Sequence, residues 1–395
     1  MNSPRHALTA LLLGGLLLLI ANAPAHAGSA TWNLNPTTGD WNTAANWAPA
    51  ALYGGPFQFE RAGNLQIARV YHTATLLQNG RVLVVGGETY RGITASAELY
   101  DPATGIWTKT GNLHDRREHQ TATLLRNGQV LVAGGINGQY QYIASAELYD
   151  PATGRWRRTG SLTTLRIGYT ATLLPNGKVL VAGGSFDTYF ASAELYDPAT
   201  GAWMPTASMA AKRADHTATL IFDGKVLVAG GFDSAYLASA ELYDPVSATW
   251  TSTGSMVGPR SGHTATLLAG GKVLVTAGGF NGPIASAELY DPVSGMWAAT
   301  GNLHIARYQH TANLLPDNTV LVAGGLGSQG FNPVGRAELY DPATGTWVKT
   351  AELNNPRRLH TATSLLSGEV LVAGGMDNFQ TFRTAELFLR TGSAD

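Results

Sequence analysis

Arginine stands at seven evenly spaced places: Arg69, Arg117, Arg166, Arg213, Arg260, Arg307 and Arg357. Three residues after each comes His72, Gln120, Tyr169, His216, His263, His310 or His360. Guanidinium groups in such a set could bind an anion, and the imidazoles could bind a metal. A third set competes for the same arginines. Glu98, Glu147, Glu194, Glu241, Glu288, Glu338 and Glu386 occur once per Arg, and a Glu enclosed on both sides needs a partner. Three uses of the Arg therefore stand open: an internal pair with Glu, an anion ring, and bonds to backbone carbonyls.

The chemistry that varies lies elsewhere. Between successive glycine pairs and the Glu-bearing runs are loops holding Tyr90, Tyr140, Tyr142, Phe186, Tyr189, Tyr236, Phe280, Phe331 and Phe379 among Asn137, Asp187, Asp233, Asn281, Asn332 and Asp377. Aromatic faces beside short polar side chains suit a glycan or an extended peptide, because rings cover apolar faces while Asn and Asp meet hydroxyls or amides. The alternative is that many of these rings pack back onto the framework. The seven Arg, the five His (His72, His216, His263, His310 and His360) and Tyr90, Tyr140, Tyr142, Tyr189, Tyr236, Phe280 and Phe331 are the candidate ligand-binding residues. No catalytic residue, metal or cofactor is expected.

The elements that must position these residues repeat with them. Glycine pairs recur at Gly86-Gly87, Gly134-Gly135, Gly183-Gly184, Gly230-Gly231, Gly278-Gly279, Gly324-Gly325 and Gly374-Gly375, spaced 46 to 50 residues apart. Each unit carries four strand-like runs. In the first, His72 to Leu77 and Val82 to Val85 join across Asn79-Gly80, a hairpin signal, and Ala97 to Tyr100 turns through Asp101-Pro102-Ala103-Thr104-Gly105 into the run at Trp107. A period near 48 with four strands per unit predicts a propeller. Small Thr-Ala-Thr runs fit its narrow centre, and Tyr100 and Trp107 with their copies fit the wide rim. The glycine pairs mark a close backbone approach or a positive φ.

These motifs resemble the kelch repeat, through Arg69 before the first strand, Gly86-Gly87 after the second, Tyr100 in the third and Trp107 in the fourth. The resemblance covers roughly residues 56 to 390 and implies an all-β, seven-bladed propeller with four antiparallel strands per blade. It also implies that the Arg-His segments and the variable loops share one face, and that the five His form an arc broken at blades 2 and 3. Residues on such an arc diverge, which favours hydrogen bonds to loop backbone over metal binding. The seventh unit ends at Ala385-Glu386-Leu387-Phe388-Leu389-Arg390 with no tryptophan run. Phe59, Leu65 and Arg69 reproduce the spacing of Trp297, Leu303 and Arg307, so residues 56 to 62 are predicted to supply the missing outer strand and close the ring. Trp41 is the rival, but its downstream spacing fails.

At the N-terminus, Arg5 and His6, an apolar run from Leu8 to Ile20 and Ala25-His26-Ala27 read as a signal peptide of residues 1 to 27, with a secreted or periplasmic chain maturing near Gly28. Residues 28 to 55, with Trp32, Trp41 and Trp47, resemble the opening segment of some bacterial secreted and autotransporter-type β proteins. They read as a cover or linker, with a carbohydrate-contacting cluster as the alternative, and residues 391 to 395 as a tail. The chain has no cysteine, so it has neither disulfides nor a lipid anchor on cysteine. Its 26 basic and 27 acidic residues become 25 and 27 once Arg5 leaves with the leader, a net charge near −2, which argues against nucleic-acid binding. No membrane span is expected, since the leading apolar run is too short.

Two functional classes follow. The first is a monomeric, non-catalytic module binding carbohydrate or protein through one propeller face. The second is an extracytoplasmic carbohydrate-active enzyme, since kelch propellers include galactose oxidase and a periplasmic sialic-acid epimerase. The copper-radical chemistry of galactose oxidase needs a cysteine crosslinked to a tyrosine. A chain without cysteine cannot perform it.

Overall fold

The computed structural model describes residues 57–328 and 332–391, together with two short strands nearer the N-terminus, Thr31–Trp32 and Trp47–Ala48. Those two strands pair antiparallel with Trp32 opposite Trp47, in a unit separate from the one that holds everything else. Residues 1–27, Trp41, Phe331 and residues 392–395 lie outside the described residues.

The larger unit is a seven-bladed propeller of four-stranded antiparallel sheets. In blade 1 the strands are Thr73–Leu76, Val82–Val85, Ala97–Asp101 and Ile106–Lys109, paired in chain order from the axis outward. The innermost strands of blades 2 to 7 are Thr121–Leu124, Thr170–Leu173, Thr217–Leu220, Thr264–Leu267, Thr311–Leu314 and Thr361–Ser364. The second strand is apolar throughout because both its faces are covered. Val82 and Val84 pack towards blade 7, and Leu83 and Val85 towards blade 2, all at 0 % exposure. Each apolar cluster is thus a boundary between two blades, and the core is a ring of seven such boundaries.

Phe57–Asn64 pairs antiparallel with Thr384–Arg390 and completes blade 7, with a register shift between Arg61 and Asn64. The predicted strand is therefore extended by two residues at its end. Phe59 lies opposite Phe388 as Trp107 lies opposite Tyr100, so a Phe pair fills the place of the Tyr–Trp pair. In blades 1 to 6 the tryptophan Nε1 also donates to a backbone carbonyl in the preceding blade's outer segment, from Trp107 to Ala62 at 2.9 Å through Trp347 to Gly301 at 2.8 Å. Phe59 cannot donate. Asn354 Nδ2 bonds to the Phe59 carbonyl instead, at 3.1 Å.

The two glycines of each pair serve different neighbours. A Cβ on Gly230 would meet the next blade's Arg260 carbonyl and His263 ring, each at 2.7 Å, whereas a Cβ on Gly231 would meet its own blade's Ala214 carbonyl at 2.6 Å and His216 Cβ at 2.9 Å. Blade 5 corrects the sequence alignment. Ala277 and Gly278, not Gly278 and Gly279, hold the two positions, and Ala277 adopts φ 55° with its carbonyl accepting from Arg260 as the first glycine's does elsewhere. In blade 5 the first position thus accommodates a methyl group. The second, at φ 88° to 103° in all seven blades, lies beyond the left-handed well open to alanine. Gly231→Ala is accordingly expected to destabilise by roughly 1–2 kcal/mol beyond Gly230→Ala in chemical denaturation, from backbone strain, because a Cβ would meet a carbonyl at both positions. Equal losses from the two would refute this division of roles.

Candidate functional site

All seven arginines are fully enclosed, and each closes the same network. Arg69 Nη2 donates to Glu98 Oε1 at 2.6 Å, and Nη1 donates to the Gly86 and Ser96 carbonyls. Across the blades the Arg–Glu distance is 2.5 to 2.9 Å. The second carboxylate oxygen accepts a backbone N–H from the strand connection leading to the Arg, for example Gln66 N at 2.5 Å and Thr163 N at 2.7 Å. The candidate assignment of Arg69, Arg117, Arg166, Arg213, Arg260, Arg307 and Arg357 to a ligand is therefore corrected. They combine the first and third uses the sequence left open, and none of them reaches solvent.

The histidines are also enclosed, at 6 to 7 % exposure. His72, His216, His263, His310 and His360 share hydrogen bonds through Nε2 with Thr361, Thr170, Thr217, Thr264 and Thr311, the first residue of the preceding blade's inner strand, at 3.0 to 3.1 Å. The His72–Thr361 bond joins blade 1 to blade 7 and seals the ring. At the two exceptions Tyr169 bonds to the Ala133 carbonyl and Gln120 to that of Val85. These five His are thus links between blades, and their assignment to a ligand is corrected as well. Burial first, and then the neighbouring Arg charge, lowers His72, His216, His263 and His360 from 6.5 to about 3, and holds His310 well below 6.5.

What faces solvent is built on this framework. The residue after each Arg bridges to the residue after the glycine pair, as in Val70 with Glu88 and Glu118 with Ile136, which places the variable loops beside the mouth of the central channel. The next residue turns through φ 52° to 63° in every blade: Tyr71, His119, Gly168, Asp215, Gly262, Gln309 and Leu359. Several are chained by backbone bonds, including Asp215 N to Gly168 O at 2.8 Å and Gly262 N to Asp215 O at 3.0 Å. These seven left-handed residues rim the mouth.

The rim and its loops are unlike on the two sides. Over blades 2 to 5 the aromatic side chains form a row: Tyr142 contacts Phe186 at 4.9 Å, Tyr189 contacts Phe232 at 5.6 Å, Phe232 contacts Tyr236 at 5.1 Å and Tyr236 contacts Phe280 at 5.5 Å, mostly edge to face. Tight hairpins present them. Ser185–Phe186 pairs with Thr188–Tyr189 around Asp187, and Phe232–Asp233 with Ala235–Tyr236 around Ser234, each turning at a positive φ. Of the candidate aromatics, Tyr142, Tyr189, Tyr236 and Phe280 are thus gathered. Tyr90 stands apart, 79 % exposed under the Arg91 guanidinium, and Tyr140 lies with the acidic group below. Phe232 belongs to the row although nothing in the sequence singles it out from its neighbours.

Towards blades 1 and 2 the mouth is polar. Tyr71 stacks on His119 at 4.0 Å, Tyr140 Oη donates to Glu88 at 3.2 Å, and Glu118 is buried with one carboxylate oxygen lacking a hydrogen-bond partner. Desolvation, and then the charge of Glu88, raises Glu118 from 4.5 to about 7. Desolvation also raises Asp215 across the mouth. No repeat marks Glu88, Glu118, His119 or Asp215. The signal available was that the two residues after each Arg differ in every unit. Among the described residues no three His, Asp or Glu side chains are arranged to hold a metal ion, and no described helix is long and apolar enough to cross a membrane.

A sequence profile described as the KLHDC2/KLHL20/DRC7 Kelch-repeats domain matches residues 71–279, and the chain belongs to the kelch-repeat β-propeller family. A search of curated proteins found no match. Among solved structures the chain is similar to a fungal alcohol oxidase of the AA5 family in complex with copper, at 19 % identity and a TM-score of 0.69, covering 85 % of this chain and 76 % of that one. The likeness is one of fold. A copper-radical centre built on a Tyr–Cys crosslink does not fit a chain without cysteine.

Two predictions follow from the buried groups. Arg260→Met should destabilise by ~3–5 kcal/mol, and adding Glu288→Leu should not restore stability, because Glu288 also accepts the Val257 and Gly258 N–H groups, which the double variant leaves bare. Full recovery in the double variant, measured by thermal melting, would show that the pair acts alone. The titrating groups oppose each other. The histidines are depressed in the folded chain, so the unfolded chain binds protons first and stability falls as pH drops from 6.5 towards 3. Glu118 is raised, so the folded chain holds its proton longer and stability is lost as pH climbs from 4.5 through 7. Glu118→Gln should therefore gain stability at pH 8, by up to roughly 3 kcal/mol, and gain nothing at pH 4. A pH-independent effect in urea titrations would contradict this.

Proposed function

We propose that this chain is an exported, non-catalytic binding module that lays a glycan chain across the loop-bearing face of its propeller. The observation that carries this is the row Tyr142, Phe186, Tyr189, Phe232, Tyr236 and Phe280, flanked by Asp187, Asp233 and Asn281. Successive ring surfaces across four blades match an extended ligand with repeating apolar faces, and the Asp and Asn side chains offer partners for its hydroxyls. The leader-like residues 1–27 support an extracytoplasmic setting where such polymers occur.

A specific observation favours a second reading. Glu118, protonated near neutrality beside Glu88, Tyr71, Tyr140 and His119, is suited to proton transfer on a bound sugar. One experiment separates the two: a glycan array probed with the chain from Gly28, with released products examined by mass spectrometry. Binding of an unchanged ligand, weakened tenfold or more by Tyr236→Ala or Phe280→Ala at unchanged melting temperature, is the expected result. An isomerised or cleaved product abolished by Glu118→Gln would establish the enzymatic reading instead. Silence on all glycans would move the site to a protein partner.

A further inference from the structure

At the blade 2 end of the aromatic row is a groove of about 580 Å³, lined by His114, Asp115, Arg116, Asn137, Tyr142 and Leu165 among others. Its volume is in the range of small-molecule sites, about 300–1,000 Å³. The repeat is broken here in a particular way. The residue before the buried Arg is Ala68, Leu165, Lys212, Pro259, Ala306 or Pro356 in the other blades, and a guanidinium only at Arg116.

The charges around Arg116 are already committed. Asp115 accepts Ser145 Oγ at 2.7 Å and Arg158 Nη2 at 2.8 Å. His114 Nδ1 bonds to Glu147 Oε2 at 2.7 Å, a contact that fixes the ring by one nitrogen, and Glu147 is in turn held by Arg117. Arg116 itself has no hydrogen-bond or carboxylate partner among the described residues. A Cβ on Gly138 would meet Arg116 Cδ at 2.9 Å, so the aliphatic stem lies against a glycine that leaves it room. The groove thus offers an exposed, unspent planar cation whose stem lies against Gly138, in one lining with Tyr142, whose ring contacts Phe186, and the apolar Leu165.

A guanidinium in that state selects a carboxylate, which it grips bidentately, and the adjoining ring suits the face of a pyranose. We propose that this groove is a subsite for a carboxylate-bearing sugar, a uronate residue of the glycan lying along the aromatic row, with Arg116 as the partner of the sugar carboxylate. The subsite rests on the glycan-binding reading of this face and adds the ligand's charge.

The test is calorimetric titration of the chain with trimers of galacturonate, mannuronate and glucuronate, each as the free acid and as its methyl ester, against wild type, Arg116→Gln, Arg116→Lys and Tyr236→Ala. At least one acid is expected to bind tenfold or more tightly than its ester. Arg116→Gln should erase that preference while leaving the melting temperature and ester binding unchanged, and Arg116→Lys, a point charge without the fork, should restore only part of it. Equal binding of acid and ester, binding indifferent to Arg116→Gln, or binding of none of the three acids overturns the subsite. If Tyr236→Ala weakens acid and ester alike in the first two cases, the glycan-binding face survives without it. If in those two cases Tyr236→Ala changes nothing, both readings fall.

Discussion

Seven times over, a guanidinium with no access to water is neutralised by a carboxylate that also holds the backbone of an incoming connection. A buried ion of either sign is expensive unless its partner and its remaining hydrogen bonds are all supplied. Here the Arg meets Glu and two carbonyls, while the Glu takes the Arg and backbone amides. The network ties the connection before the inner strand, the end of the second strand and the start of the third into one rigid corner. Every solvent-facing loop of the candidate site springs from such a corner. The loops of the face are therefore anchored at their bases by buried charge, and over blades 2 to 5 they also touch one another through the aromatic row.

Around that corner the blades interlock by shape. The first glycine of each pair leaves space for the His, Gln or Tyr of the next blade, and the second lets the chain pass its own incoming connection at carbonyl contact distance. Imidazole was retained at five of the seven links and replaced by Gln and Tyr at two, each reaching an acceptor in the preceding blade. What these positions require is a hydrogen-bonding group of suitable reach, not imidazole chemistry. That five buried rings stay neutral near pH 7 agrees with such a role.

Because the repeated residues are spent on the framework, chemistry is left to those that differ. The rim combines an aromatic side over blades 2 to 5 with a titratable side over blades 1 and 2, and neither follows the sevenfold pattern. Symmetry supplies the stiffness. The face departs from that symmetry at Glu88, Glu118, Arg116 and Phe232.

Strand number, blade number and the closing strand were readable in the chain because each rests on local pattern: turn residues at set offsets, apolar runs, and a spacing that Phe59 shares with Trp297. Such features repeat within about fifty residues and need no knowledge of neighbours in space. The fate of Arg and His could be narrowed but not decided, since an internal pair, an anion ring and a link between blades all demand the same residue types. Blade 5 shows the same limit, because two adjacent glycines look equivalent until Ala277 is seen to take the first position. The loop aromatics Tyr142, Tyr189, Tyr236 and Phe280 could be named from the sequence, but their contacts with Phe186 and Phe232, and the Glu88–Glu118 neighbourhood, could not. Most of these contacts join residues roughly thirty to fifty positions apart on neighbouring blades, at places where no copy resembles the next, and only the packing of blade on blade brings them together.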